Sequence, residues 1–135
     1  MRILNLTQHA ATPEQTAAGV VDLTTAQRAV VSQWLTFETP PSRPVIKTRA
    51  RLLAQAATND SSMVGEVGPF DAAMIGGAPY LMGPLEDALL DLCIVPLYAF
   101  SKRESVETIG SDGSVTKTNV FRHGGFVGGL RSMGE

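Results

Sequence analysis

Two histidines, one cysteine and one Ser-Lys-Arg step are the first candidates for chemistry among these 135 residues. Ser101, Lys102 and Arg103 close an apolar run over 94–100. Arginine brings a planar fork and lysine a mobile point charge, so the step fits an anionic ligand such as a phosphate. A merely solvated strand end has the same composition, and the tripeptide alone does not separate the two. His9 ends the short polar segment Thr7-Gln8-His9, and His123 ends the Phe121-Arg122-His123 segment. An imidazole exchanges protons near neutral pH. The plainer alternatives are a loop histidine bracing a turn for His9 and a strand-end histidine bonded to backbone for His123. Gly76-Gly77 permits either close backbone approach to a ligand or simply a tight turn. The dinucleotide-binding pattern G-x-G-x-x-G is missing. Two histidines and one cysteine without close ligand spacing lead us to expect no metal site and no cofactor. Cys93, between an apolar helix and an apolar strand, is expected to be a buried, inert thiol.

The elements that must carry these residues can be read from apolar runs and helix-start signals. The segment 2–7 reads as a first strand. Thr12 with Gln15, and Pro13 between them, forms a capping box that starts a helix, so the loop before it is a candidate anion cradle. A brief second strand is expected over 20–23. Thr24 with Gln27 repeats the box and starts a helix over about 25–37 with Ala26, Val30, Trp34 and Phe37 on its apolar stripe. Ser42 caps a third helix with an apolar face of Ile46, Leu52, Leu53 and Ala56 and a solvated basic face of Arg43, Lys47, Arg49 and Arg51. Loop is expected over 58–69, then a short strand ending at Gly76-Gly77. The next helix carries Leu81, Leu85, Ala88, Leu89 and Leu92, with Pro84 either at its start or kinking it. The apolar run 94–100 reads as a strand buried on both faces, and 105–123 as a β-hairpin about an Asp-Gly turn.

Strands alternating with helices imply a mainly parallel, Rossmann-like α/β sheet with flanking helices and a C-terminal antiparallel hairpin. One domain is expected over 1–123, followed by a Gly-rich tail over 124–135. The strand ends at Thr7, Gly76 and Phe100 would open on one sheet edge, where ligands bind in such folds. Thr7, Gln8, His9, Gly76, Gly77, Ser101, Lys102 and Arg103 would then converge there.

Composition limits the partners. With 44% hydrophobic and 18% charged residues the chain is that of a globular protein, and a net charge of −2 leaves no broad basic surface for duplex nucleic acid. No segment reads as a signal peptide or membrane span, and a single cysteine fits the reducing cytoplasm.

Several short motifs carry a resemblance. They are the first strand with its His9 segment followed by Thr12-Pro13-Glu14-Gln15, the strand ending Tyr98-Ala99-Phe100-Ser101-Lys102-Arg103, and the hairpin closing on Phe121-Arg122-His123. Together they resemble small stand-alone CRISPR-associated ring nucleases, relatives of the CRISPR-associated Rossmann fold domains. The Gly76-Gly77 turn and the Gly-rich tail depart from that pattern. The resemblance implies a homodimer with a role in antiviral defence, binding a cyclic oligoadenylate across its two-fold axis. It also implies metal-free ring opening, in which a ribose 2′-hydroxyl attacks the adjacent phosphate. In that chemistry Lys102 and Arg103 would stabilise developing charge, with Ser101 and the Gly76-Gly77 amides as neutral donors. His9 and His123 would be the candidates for proton transfer.

Three other readings use the same residues. The pocket can bind a nucleotide messenger without cleaving it, as a sensor or sponge. The chain can be an unrelated small α/β protein acting on a nucleotide or phosphosugar. Or the hairpin and tail can serve a protein partner.

Overall fold

Apolar runs and capping signals resolve into β1 (Ile3–Leu6), α1 (Pro13–Ala17), β2 (Val20–Val21), α2 (Thr25–Leu35), α3 (Arg43–Gln55), β3 (Ala72–Ile75), α4 (Pro79–Asp91), β4 (Val95–Ile109) and β5 (Val115–Gly128). The structure is a computed structural model and describes residues 1–58 and 70–129. Most of the loop expected over 58–69 and the end of the tail, 130–135, lie outside the described residues. The strands form one sheet in the order β2-β1-β3-β4-β5. β1 runs parallel to β2 and β3, β3 runs parallel to β4, and β4 pairs antiparallel with β5. This is the expected mainly parallel α/β sheet with flanking helices and a C-terminal hairpin.

The core follows from alternation along β1 and β3, every residue of which is buried. Leu4, Leu6, Ala73 and Ile75 point to one face, against Val31 and Leu35 of α2, Leu53 of α3 and Leu85 and Leu89 of α4. Ile3, Ala72 and Met74 point to the other, with Val20, Ala11 and Leu97 beside them. The chain leaves β1 for β2 in one direction and returns past it to β3, so right-handed crossovers assign the two connections to opposite faces.

Local signals set the helix starts. The Thr12–Gln15 and Thr24–Gln27 capping boxes are both formed, and Ser42 Oγ accepts from the Val45 amide at 3.4 Å. The stripe on α2 is rotated from expectation: Val31 and Leu35 are buried, Val30 and Trp34 are half-buried and Ala26 is exposed. Pro79 takes the first helical position of α4 and Pro84 lies inside it.

Cys93 is exposed, not buried. It occupies the position just past α4 with φ of 60°. Its amide donates to Leu90 O at 3.0 Å and that of Ile94 to Leu89 O at 2.9 Å. That bond pair is the Schellman ending of a helix, which demands a left-handed residue and usually recruits glycine. Burial falls instead on Ile94 and Leu89, the apolar pair that closes the motif.

The largest departure concerns the hairpin, expected over 105–123. β4 does not stop at Phe100, and β5 does not stop at His123. Their pairing extends from Leu97↔Gly128 to Ile109↔Val115, whereas β3 pairs with β4 only as far as Leu97. Beyond the core sheet the two strands form a ribbon solvated on both faces, which is why its sequence is charged and alternating. Phe100 faces Gly125 while Ser101 faces His123, so Gly124 is an extra residue in β5. A Cβ on Gly124 would sit 2.8 Å from Phe100 Cδ1, and Gly125 has φ of +117°. Gly124-Gly125, the expected start of a loose tail, is a β-bulge inside a strand.

Candidate functional site

Strand order places the switch between leftward and rightward connections at β1 and β3, and ligands of open α/β sheets bind outside the carboxyl ends of the strands at that point. A cleft of about 470 Å³ opens there, within the size range of small-molecule sites. Thr7, Gln8 and His9 line it from the end of β1, and Gly76 and Gly77 from the end of β3. Tyr98 and Ala99 close it from β4, and Thr12 and Gln15 from the start of α1. Two of the three expected loops therefore meet. A Cβ on Gly76 would lie 3.6 Å from Thr7 Cγ2, and Gly77 has φ of +148°, which a side chain would strain.

The β1 loop is held by a buried residue that sequence reasoning missed. Asn5 is 4% exposed. Its Nδ2 donates to His9 O at 2.7 Å and to Asp22 Oδ1 at 2.8 Å. Its Oδ1 accepts from the Thr7 amide at 2.9 Å and Thr7 Oγ1 at 2.7 Å. Asp22 also accepts from the Ala11 amide at 3.1 Å. A polar residue inside an apolar strand was the available signal. The turn is braced through the His9 carbonyl, not its ring, and His9 is exposed at the cleft. Gln8 Nε2 reaches Thr36 Oγ1 at 3.1 Å, linking the loop to the end of α2.

α1 is a five-residue helix, too short for much end field, and its Gln15 is engaged in the capping box. α4, with thirteen residues, begins just behind Gly76-Gly77, and its N-cap Ala78 offers no side-chain bond. Its first residue, Pro79, has no N–H and the Leu81 amide donates to Ala78 O at 3.0 Å, so this terminus adds little to the cleft. On the floor, Tyr98 Oη donates to Glu86 Oε2 at 2.6 Å. Burial, reinforced by that bond and by the carboxylate's charge, holds the Tyr98 phenol well above its usual pKa.

Ser101, Lys102, Arg103 and His123 do not line the cleft. The first three are exposed on the ribbon because β4 continues past the sheet edge instead of ending there. Arg103 lies over the Phe121 ring, 5.9 Å from its centroid. Neither Glu107 nor Asp22 holds it: Glu107 faces Lys117 at 3.7 Å and Asp22 serves Asn5 and Ala11. His123 is half-buried, edge-on to Phe126 at 4.8 Å, and its amide donates to Glu14 Oε2 at 3.1 Å. Its Nδ1 is buried with no hydrogen-bond partner among the described residues.

A larger hollow, about 680 Å³, lies between the end of α2, the segment 36–42 and α3. Its cation, Arg49, is already committed. It stacks on Phe37 at 4.4 Å and donates to Gln33 O at 3.4 Å and to Thr36 O, closing the end of α2. Arg49 thus leaves the solvated basic face expected for α3. The hollow is remote from the strand ends, so the switch-point cleft is the better candidate. Among the described residues no group of three or more His, Cys, Asp or Glu side chains can hold a metal ion, and no helix is long and apolar enough to cross a membrane.

Fold and cleft define an α/β protein with a cleft at the switch point of its sheet. The model of the uncharacterized protein MJ1673 family matches residues 1–127, and the chain belongs to that family. No curated protein and no solved structure matches it.

Proposed function

We propose that this protein is a ring nuclease that binds a cyclic oligoadenylate and opens it without a metal. The observation that carries the reading is the convergence of Thr7-Gln8-His9 and Gly76-Gly77 on one cleft at the topological switch point. The Gly76-Gly77 pair in the cleft wall lets backbone approach a phosphate closely. The ligand class comes from the resemblance of the Thr12–Gln15, Tyr98–Arg103 and Phe121–His123 motifs to those of CRISPR-associated ring nucleases. The reaction needs no water: the ribose 2′-oxygen attacks the adjacent phosphorus, the bond to the 5′-oxygen breaks, and the products are a 2′,3′-cyclic phosphate and a 5′-hydroxyl. One group takes the 2′-hydroxyl proton and one protonates the leaving 5′-oxygen. His9, exposed at the cleft with its ring outside the loop's bracing, is the candidate for the first role. Such a ring is large for the cleft of one chain, and a two-fold dimer matches a symmetric ligand.

A second reading is favoured by the position of Lys102, Arg103 and His123 away from the cleft. In it the protein holds the messenger intact, as a sensor or sponge. Incubation with cyclic tetra- and hexaadenylate, followed by chromatography and mass spectrometry, separates the two. Linear product bearing a 2′,3′-cyclic phosphate supports cleavage, and intact ligand bound to protein supports the second reading. Neither binding nor product from any ring removes both. In the cleaving case His9→Ala should slow turnover about 10²–10⁴-fold with affinity largely kept.

A further inference from the structure

The cleft has no lysine or arginine in its lining, although the ligand proposed for it carries a negative charge on every phosphate. The cations that sequence places beside it stand instead on the ribbon, which leaves the sheet at the same edge on which the cleft opens. From Phe100 to Ile109 the ribbon reaches on the order of 30 Å. It carries surplus positive charge at its root. Arg122 pairs with Glu104 at 2.7 Å and Lys117 with Glu107 at 3.7 Å. Among the described residues neither Lys102 nor Arg103 is paired with a carboxylate. The ribbon is also poorly covered: Phe100 is 48%, Phe121 70%, Val115 57% and Ile109 75% exposed. Two strands alone are marginal in water, and exposed ion pairs add little.

We propose that each ribbon lies over the cleft of a second copy of this chain, so that Lys102 and Arg103 act in trans as its phosphate-binding cations. The cleft is incomplete in one chain and the ribbon is uncovered in one chain. A two-fold pairing answers both at once, because an isologous contact exchanges the same two surfaces. The inference rests on reading the cleft as a site for a nucleotide anion, and it names the residues that complete that site and the chain they come from.

Complementation tests it. Gln8→Glu, which sets a carboxylate in the cleft wall against the phosphates, makes a cleft variant, and Lys102→Ala with Arg103→Ala a ribbon variant. Each ribbon residue should be worth about ten- to a hundredfold in affinity for cyclic tetra- or hexaadenylate. Heterodimers of the two variants, co-expressed with different tags and purified through both, should join the intact cleft to the intact ribbon in one half of the ring site and bind more tightly than either variant homodimer. Heterodimers that bind no more tightly would place the cations in cis and overturn the proposal, as would a ribbon variant that binds like wild type. Sedimentation decides the contact without any ligand. Wild type should be a dimer at micromolar concentration, and Phe100→Asp with Phe121→Asp, or the milder Phe121→Ser, should shift it to monomer with an unchanged circular dichroism spectrum. A monomeric wild type, or a dimer that folded ribbon variants do not weaken, overturns the proposal even if the ligand assignment holds. A dimer weakened by those variants but binding neither ring leaves the ribbon contact standing and removes the nucleotide reading.

Discussion

Asn5 Nδ2 donates to Asp22 Oδ1 at 2.8 Å, tying the middle of the first strand to the residue just past the second. The same amide holds the His9 carbonyl, so one buried side chain sets both the strand pairing and the loop at the cleft.

Asn5→Ala should therefore cost more than an average polar substitution. It leaves the Thr7 amide without its acceptor and removes one donor each from Asp22 and His9 O, which keep the Ala11 amide and Thr7 Oγ1, and each lost bond at a buried group costs about 1–3 kcal/mol before relaxation. A net loss of about 2–3 kcal/mol is expected in urea unfolding. Asp22→Asn keeps an acceptor for Asn5 and should lose about 1 kcal/mol. Equal losses for the two would show that the charge, not the hydrogen bond, is what matters.

Tyr98 and Glu86 make a pH-dependent pair. Tyr98→Phe strips an 8% exposed carboxylate of its donor and should cost about 1.5–3 kcal/mol at neutral pH. The folded phenol titrates above its usual value of 10.0. Below that value both folded and unfolded tyrosine keep the proton, and the contribution is fully present. Above it the unfolded chain releases the proton first, so stability falls as pH rises. Denaturation at pH 8 and at pH values above 10.0 should show the gap between wild type and Tyr98→Phe narrowing at the alkaline end. A constant gap would refute the linkage. Gly129→Ala should mimic part of the neutral-pH loss, since its Cβ would lie 2.2 Å from Glu86 Oε1.

Arg49 closes the end of α2 through carbonyls and stacks on Phe37. Arg49→Ala should lower stability by about 1–2 kcal/mol, from one cation–π contact and charge-assisted bonds. Arg49→Lys should recover little of it, because an ammonium cannot stack and fork at once. Thermal melts of both variants check this, and full rescue by lysine would mean that charge alone suffices.

Cys93 gives a case of opposite sign. Glycine at φ of 60° relieves a left-handed strain of about 1–2 kcal/mol but adds unfolded-state entropy of about 0.5–1 kcal/mol. Cys93→Gly should thus raise stability slightly, by up to about 1 kcal/mol. Cys93→Val, β-branched at the same φ, should lower it by about 1 kcal/mol or more. A destabilised glycine variant would show that the thiol makes a contact worth more than the strain.

Helix starts were legible because they are local. Thr12 with Gln15 and Thr24 with Gln27 satisfy their amides within three residues, and Ser42 does the same for Val45. The parallel sheet was legible for a related reason, since only strands covered on both faces are as apolar as Ile3–Leu6 and Ala72–Ile75. Tertiary structure alone decided where β4 stops. The apolar run ends at Phe100, but a strand lasts as long as it has a partner to pair with, and β5 continues beside it to Val115. That moved Lys102 and Arg103 from a strand end to a ribbon. Asn5 and Asp22 stayed hidden because a hydrogen bond across 17 residues has no periodic signature. Cys93 was misplaced because its apolar neighbours, not the cysteine itself, close the end of α4. What the chain determines by itself is what neighbouring residues settle among themselves; the site depends on which distant segments the sheet sets side by side.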